Sequence, residues 1–81
     1  MLAPFSIEAS QLVLGVYEHY KGNRYKVLGV GRHSETEEEM VIYQGLYGDG
    51  DYWIRPLKSF LETVKVGEGS IVPRFRLVSR S

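Results

Sequence analysis

Eighty-one residues hold one small domain and leave no room for a second. Without cysteine, neither a disulfide framework nor a cysteine-based zinc site can form. Ten basic side chains balance ten acidic ones, so the chain lacks the polybasic signature of a dedicated nucleic-acid or membrane binder.

The opening MLAPFSIEASQL has no lysine or arginine and no apolar run of signal-peptide length. The expected location is therefore the cytoplasm, with no membrane partner. Residues 1–12 read as an N-terminal arm and residues 13–79 as a single small β-domain. Pro4 interrupts any early helix, and Ser6 can cap a short turn running through Ala9 to Leu12.

Residues 13–20, VLGVYEHY, are expected to form the first strand, with Tyr17 and His19 on one face and Tyr20 on the other. Lys21-Gly22-Asn23-Arg24 has the chemistry of a tight turn. Residues 24–33 follow as a second strand. Strict alternation puts Tyr25, Val27, Gly29, Gly31 and His33 on one face, and Lys26, Leu28, Val30 and Arg32 on the other. Two glycines two apart suit a sharply bent strand.

Ser34 to Glu39 is expected to be a hairpin loop. It carries four of the ten acids, Glu35, Glu37, Glu38 and Glu39. The rest of the chain keeps ten basic and six acidic groups, a charge of +4. Neutrality is thus a sum of an acidic loop and a mildly basic remainder, an arrangement able to orient a partner.

Residues 40–47 are the third expected strand, with Val41, Tyr43, Gly45 and Tyr47 facing one way and Met40, Ile42, Gln44 and Leu46 the other. Gly48-Asp49-Gly50-Asp51 turns the chain into residues 52–55, a fourth strand expected to stop before Pro56. Residues 56–61 can make one helical turn, with Leu57, Phe60 and Leu61 clustered for burial. Residues 63–66 are extended, Gly67-Glu68-Gly69 turns, and Pro73 opens a last strand over 74–79.

Five or six short, hairpin-connected strands predict a mainly β fold, a small antiparallel SH3-like barrel with one helical turn. An OB-like barrel is the alternative, as is an α+β fold in which residues 56–66 form a long helix.

The runs HYKGNRYKVLGVGRHSETEEEMVIYQGLYG, WIRPLKSFLETV and PRFRLV resemble a family of small bacterial and phage proteins known as a domain of unknown function. The resemblance spans about residues 14–78 and implies a small β-rich fold. It implies no activity, ligand or catalytic residue.

Two groups of residues carry candidate binding chemistry. Arg32, His33, Ser34, Glu35 and Thr36 sit where a strand enters a loop, a common place for binding groups. The plainer alternative has Ser34 and Thr36 bonding the loop backbone, with His33 on the surface. Tyr43, Trp53 and Arg55 form the second group. On neighbouring antiparallel strands they present rings and a cation able to stack a base or hold a peptide. The plainer alternative places Trp53 and some tyrosines in the core. Ile42, Leu46 and Ile54, on the opposite face, read as better core residues.

No residue set has metal-ligand spacing, and Gly29-x-Gly31 does not extend to a phosphate loop, so no metal or cofactor is expected. The leading functional expectation is a binding module for a nucleic acid, a nucleotide or a peptide, acting as a monomer or small homo-oligomer. The alternatives are a homo-oligomeric structural protein and a small enzyme acting on a nucleotide-like substrate. In the enzyme, His33 would be the acid–base group and Glu35 its orienter. A pairing of His19 with His33 lacks any recognisable nucleophile context.

Overall fold

Alternation gives every strand two faces, and two short helices in this chain cover one of them. The computed structural model describes residues 3–80. Helix α1 spans Ile7–Gln11, and strands β1 to β4 span Val16–His19, Arg24–Arg32, Glu39–Gly45 and Tyr52–Pro56. Helix α2 spans Leu57–Leu61 and is followed by β5, Thr63–Val66, β6, Ser70–Pro73, and β7, Phe75–Ser79. The long sheet has the order β4-β3-β2-β1-β7, all antiparallel, and β5 and β6 form a separate hairpin.

The fold is mainly β and antiparallel, as expected, but its ladder stays open. Strands β4 and β7 are edges that do not pair with each other. The sheet nevertheless curls until side chains of its two edges meet. The Arg55 guanidinium of β4 lies 5.6 Å from the centre of the Phe75 ring of β7. Phe60 of α2 fills the hollow and stacks on Phe75 at 4.1 Å with planes 8° apart. A side chain plugs the opening that backbone pairing would have closed.

The curl has a local cause in β2. Val27 pairs with Tyr43 and Gly29 with Ile42, which leaves Leu28 without an opposite number. This bulge shifts the alternation by one residue. Val30 then pairs with Val41 on the covered face, rather than facing away from Val27 as strict alternation implied. Leu28 is 39% exposed, while Val27 is 1% exposed.

The core comprises Ala9, Tyr17, Val27, Val41, Tyr43, Leu57, Phe60 and Phe75. It lies on the Tyr43 face, so the expectation that Ile42, Leu46 and Ile54 would be core is overturned. Leu46 is 51% and Ile54 66% exposed, and Ile42 is half-buried. Chain direction explains the choice. After Pro56, α2 turns onto the Tyr43 face and lays Leu57 and Phe60 there, while Leu61 points away and is 47% exposed. Burial of a ring such as Phe60 contributes about 1.5–3 kcal/mol.

Helix α2 ends at Leu61, so the long helix of the α+β alternative does not form. Strand β4 runs through Pro56, tolerated because an edge strand loses no needed donor there. Pro73 closes β6, an unexpected strand, instead of opening β7. Arg74 lies between the two, its N–H donating to Glu62 O and its carbonyl accepting from Tyr20 N.

The arm is pinned. Ser6 caps α1 by accepting from Ala9 N at 3.1 Å, while its own N–H and hydroxyl both donate to the Glu39 carboxylate at 2.7 Å. Those bonds hold the Glu39 pKa below its ordinary value.

Candidate functional site

Arg55 organises the inner face of the sheet. Its position opposite Val41 in the β3–β4 register turns its side chain toward the hollow, two residues along from Trp53 opposite Tyr43. There Nε donates to the Tyr43 hydroxyl at 3.2 Å and one terminal nitrogen donates to Ser59 Oγ at 3.0 Å. The guanidinium is half-buried, and among the described residues it belongs to no ion pair. A guanidinium carries five N–H donors, so this geometry leaves three beyond the two bonds.

Two rings touch the cation, Phe75 at 5.6 Å and Tyr43 through its hydroxyl, and further rings pack against these. Tyr43 meets Phe75 edge to face at 5.4 Å and Tyr25 at 5.2 Å. The Tyr25 and Tyr47 hydroxyls hydrogen-bond at 2.8 Å. Gly45 makes this contact possible, because a Cβ there would stand 3.2 Å from the Tyr47 ring folded back across it. Burial and the Tyr47 bond push the Tyr25 pKa up to about 12, so its hydroxyl keeps its proton. Trp53, opposite Tyr43 on β4, is 46% exposed, and Tyr47 is 40% exposed.

His19 lies opposite Phe75 in the β1–β7 register, with ring centres 4.9 Å apart. Its Nδ1 accepts the Lys21 N–H at 3.2 Å. Burial, then the charges of Arg55, Arg74 and Lys21, lower its pKa from the ordinary value. Arg74 completes the cationic side, donating from Nε to Ser59 O at 3.1 Å and pairing with Glu62 at 3.5 Å.

The eight residues singled out from the sequence therefore divide. Tyr43, Trp53 and Arg55 share the inner face, but Tyr43 is 4% exposed and contributes its hydroxyl and ring edge rather than a stacking surface. Arg32, His33, Ser34, Glu35 and Thr36 lie at the acidic-loop end instead. Arg32 donates to Ala3 O and stacks over Phe5 at 4.3 Å, which anchors the arm. His33 Nδ1 accepts the backbone N–H groups of Glu35, at 3.1 Å, and Thr36, at 3.3 Å. Thr36 Oγ1 in turn accepts from Glu38 N. Ser34 and Glu35 are exposed there.

With Nδ1 accepting, a carboxylate such as Glu35 could orient the His33 ring only through Nε2–H. Ser59 has no base as partner, since Arg55 is a cation. Among the described residues no group of three His, Asp or Glu side chains could hold a metal ion. No described helix is long and apolar enough to cross a membrane.

His19 lines a depression of 250 Å³ with Glu18, Tyr20 and Arg76, and other depressions lie further off. One of 420 Å³ has Leu57 and Leu61 in its lining and Glu8, Glu38 and Glu62 around it, and another of 280 Å³ on the outer face lies between His33, Ile42 and Ile54. Reasoning from sequence missed Phe75, His19 and Arg74 at the Arg55 end, and Tyr25 as the ring packed on Tyr43. Alternation puts each on a face, but only the strand order brings β1 and β7 round to β4.

The architecture is that of a small open antiparallel β-domain with an aromatic and guanidinium platform. The chain belongs to the DUF1653 family of proteins of unknown function, whose profile matches residues 15–77. It is similar to the crystal structure of a DUF1653 protein from Bordetella bronchiseptica, with 39% identity and a TM-score of 0.80. That similarity covers 90% of this chain and 95% of the other. No curated protein matches the chain.

Proposed function

We propose that the chain is a non-catalytic binding module that takes a nucleotide unit, free or within a strand, on the Arg55 platform. The observation that carries this reading is the state of Arg55. A half-buried guanidinium without a carboxylate is costly to maintain, and here it is held by two neutral oxygens with donors to spare. An anionic group would complete its bonding, and Trp53, two residues along the same strand face and 46% exposed, offers a ring to a base. We read the curled, open sheet as a variant of an SH3-like architecture, with ligands held at its loops and edges. A cytoplasmic location agrees with a cysteine-free chain and a nucleotide ligand.

Trp53 is the single tryptophan and reports on its own site. Titration with nucleotides and short oligonucleotides is expected to quench its fluorescence, more weakly at high salt. Arg55→Ala is expected to lower affinity at least tenfold. A response to acidic peptides alone, or no response to any nucleotide, overturns the proposal.

A second reading rests on the outer face, where Leu28, Leu46, Tyr52 and Ile54 are all exposed. So much apolar surface on one side of a small domain favours self-association. Sedimentation of the same samples tests it. A mass above the monomer that Ile54→Lys abolishes supports it, and a monomer at every concentration rejects it.

A further inference from the structure

We propose that His19 and Arg55, which both lie against the Phe75 ring, form a two-point clamp for a terminal phosphate monoester. This inference rests on the nucleotide reading and specifies which part of the ligand the inner face holds.

The argument starts from the imidazole. In a neutral ring one nitrogen carries the proton and the other accepts. Nδ1 accepts the Lys21 N–H, so the proton belongs to Nε2. His19 therefore presents an N–H donor, and Nε2 donates to none of the described protein groups. The ring cannot swing freely, because Tyr20 lies against it at 4.6 Å and Phe75 at 4.9 Å. One face of Phe75 is covered by Phe60, and the Arg55 guanidinium sits at 5.6 Å from the same ring. A rigid neutral donor and a fixed cation with spare donors thus flank one aromatic ring.

Charge decides which oxyanion fits. Arg55 of β4, Arg74 beside β7 and Lys21 of the β1–β2 turn all bear on His19. Glu62 offsets part of this by pairing with Arg74. Glu18, the neighbouring acid, is engaged by Arg76 at 2.7 Å and Arg24 at 3.5 Å. A net excess of cations around a neutral donor complements a dianion better than a monoanion. A terminal phosphate monoester carries close to two charges at neutral pH, whereas an internal diester carries one.

The test follows the His19 and His33 imidazole signals and the Arg55 Nε–H signal by NMR, together with Trp53 fluorescence. The probes are inorganic phosphate, a nucleoside 5′-monophosphate, the nucleoside, and an oligonucleotide with and without a 5′-phosphate. Inorganic phosphate should move the His19 and Arg55 signals together and leave His33 in place. The monophosphate should bind at least tenfold more tightly than the nucleoside. Preference for the phosphorylated oligonucleotide end would extend the source of the phosphate from free nucleotides to strand termini, and preference for the free monophosphate would confine it to them. His19→Phe should remove the phosphate preference, and His19→Gln, which restores an N–H donor, should retain most of it.

The two ideas fail differently. If nucleotides bind through Arg55 while His19→Phe keeps the phosphate preference and the wild-type His19 signals stay still, the clamp is wrong and the nucleotide reading stands. If no nucleotide binds but inorganic phosphate still moves His19 and Arg55, the pair holds a free inorganic anion only, and both the nucleotide reading and the monoester clamp fail. Silence from both signals with every probe overturns both.

Discussion

The two histidines of this chain both accept backbone N–H groups through Nδ1 at the end of a strand, yet they belong to different environments. His33 accepts from Glu35 and Thr36 in an exposed acidic loop, where its ring tightens a turn. His19 accepts from Lys21 while wedged against Tyr20 and Phe75, facing the charges of Arg55 and Arg74. Identical local bonding thus gives one residue a structural duty and leaves the other in a cationic, aromatic hollow. What separates them is the set of strands that arrives beside each one.

Phe75→Ala should affect the His19 end most. Phe75 joins α2, β3 and β7 through Phe60 and Tyr43, so its truncation should cost about 3–5 kcal/mol in chemical denaturation. A loss below about 1 kcal/mol would mean that the aromatic end is not the centre of stability. At the other end, His33→Ala should cost only about 1 kcal/mol, because water can reach the exposed loop N–H groups it leaves behind. It should leave Trp53 titrations unchanged, and a loss of ligand binding there would return the acidic loop to the site.

The smallest effect is one of pH. Folding lowers the His19 pKa, so the native state binds the proton less readily than the unfolded chain. This group therefore costs nothing well above 6.5, and its cost appears as pH falls through 6.5 toward the folded value. The depressed carboxylates Glu18 and Glu39 act in a lower window, losing their contribution as pH falls below their ordinary value of 4.5. Thermal melts of wild type and His19→Gln should diverge between pH 7 and 5.5, with the wild type losing relative stability. Parallel curves would place His19 outside the cationic hollow.

Much of the secondary structure was legible from local chemistry. Gly22-Asn23 and the Gly48 to Asp51 run marked turns, Pro56 marked the change from strand to helix, and Ser6 marked the α1 cap. The Leu28 bulge was not legible, because alternation contains no sign of where one residue will be left unpaired. It exchanged the faces of the second half of β2 and brought Val30 inward. The binding surface was read in part. Arg55 and Trp53 were visible as a cation and a ring on one strand face, but the loop from Arg32 to Thr36 was drawn in by its residue types alone.

The sequence by itself determined a small, cysteine-free, mainly β domain whose balanced charge conceals an acidic loop and a basic remainder. Those properties depend on composition and on neighbours within a few residues. Tertiary structure decided which sheet face became core, and among the described residues it left Arg55 outside any ion pair, beside rings of β3 and β7. The reason is geometric. Period-two alternation makes both faces available, and only the direction α2 takes after Pro56, together with the curl that brings β7 to β4, selects the one that is filled.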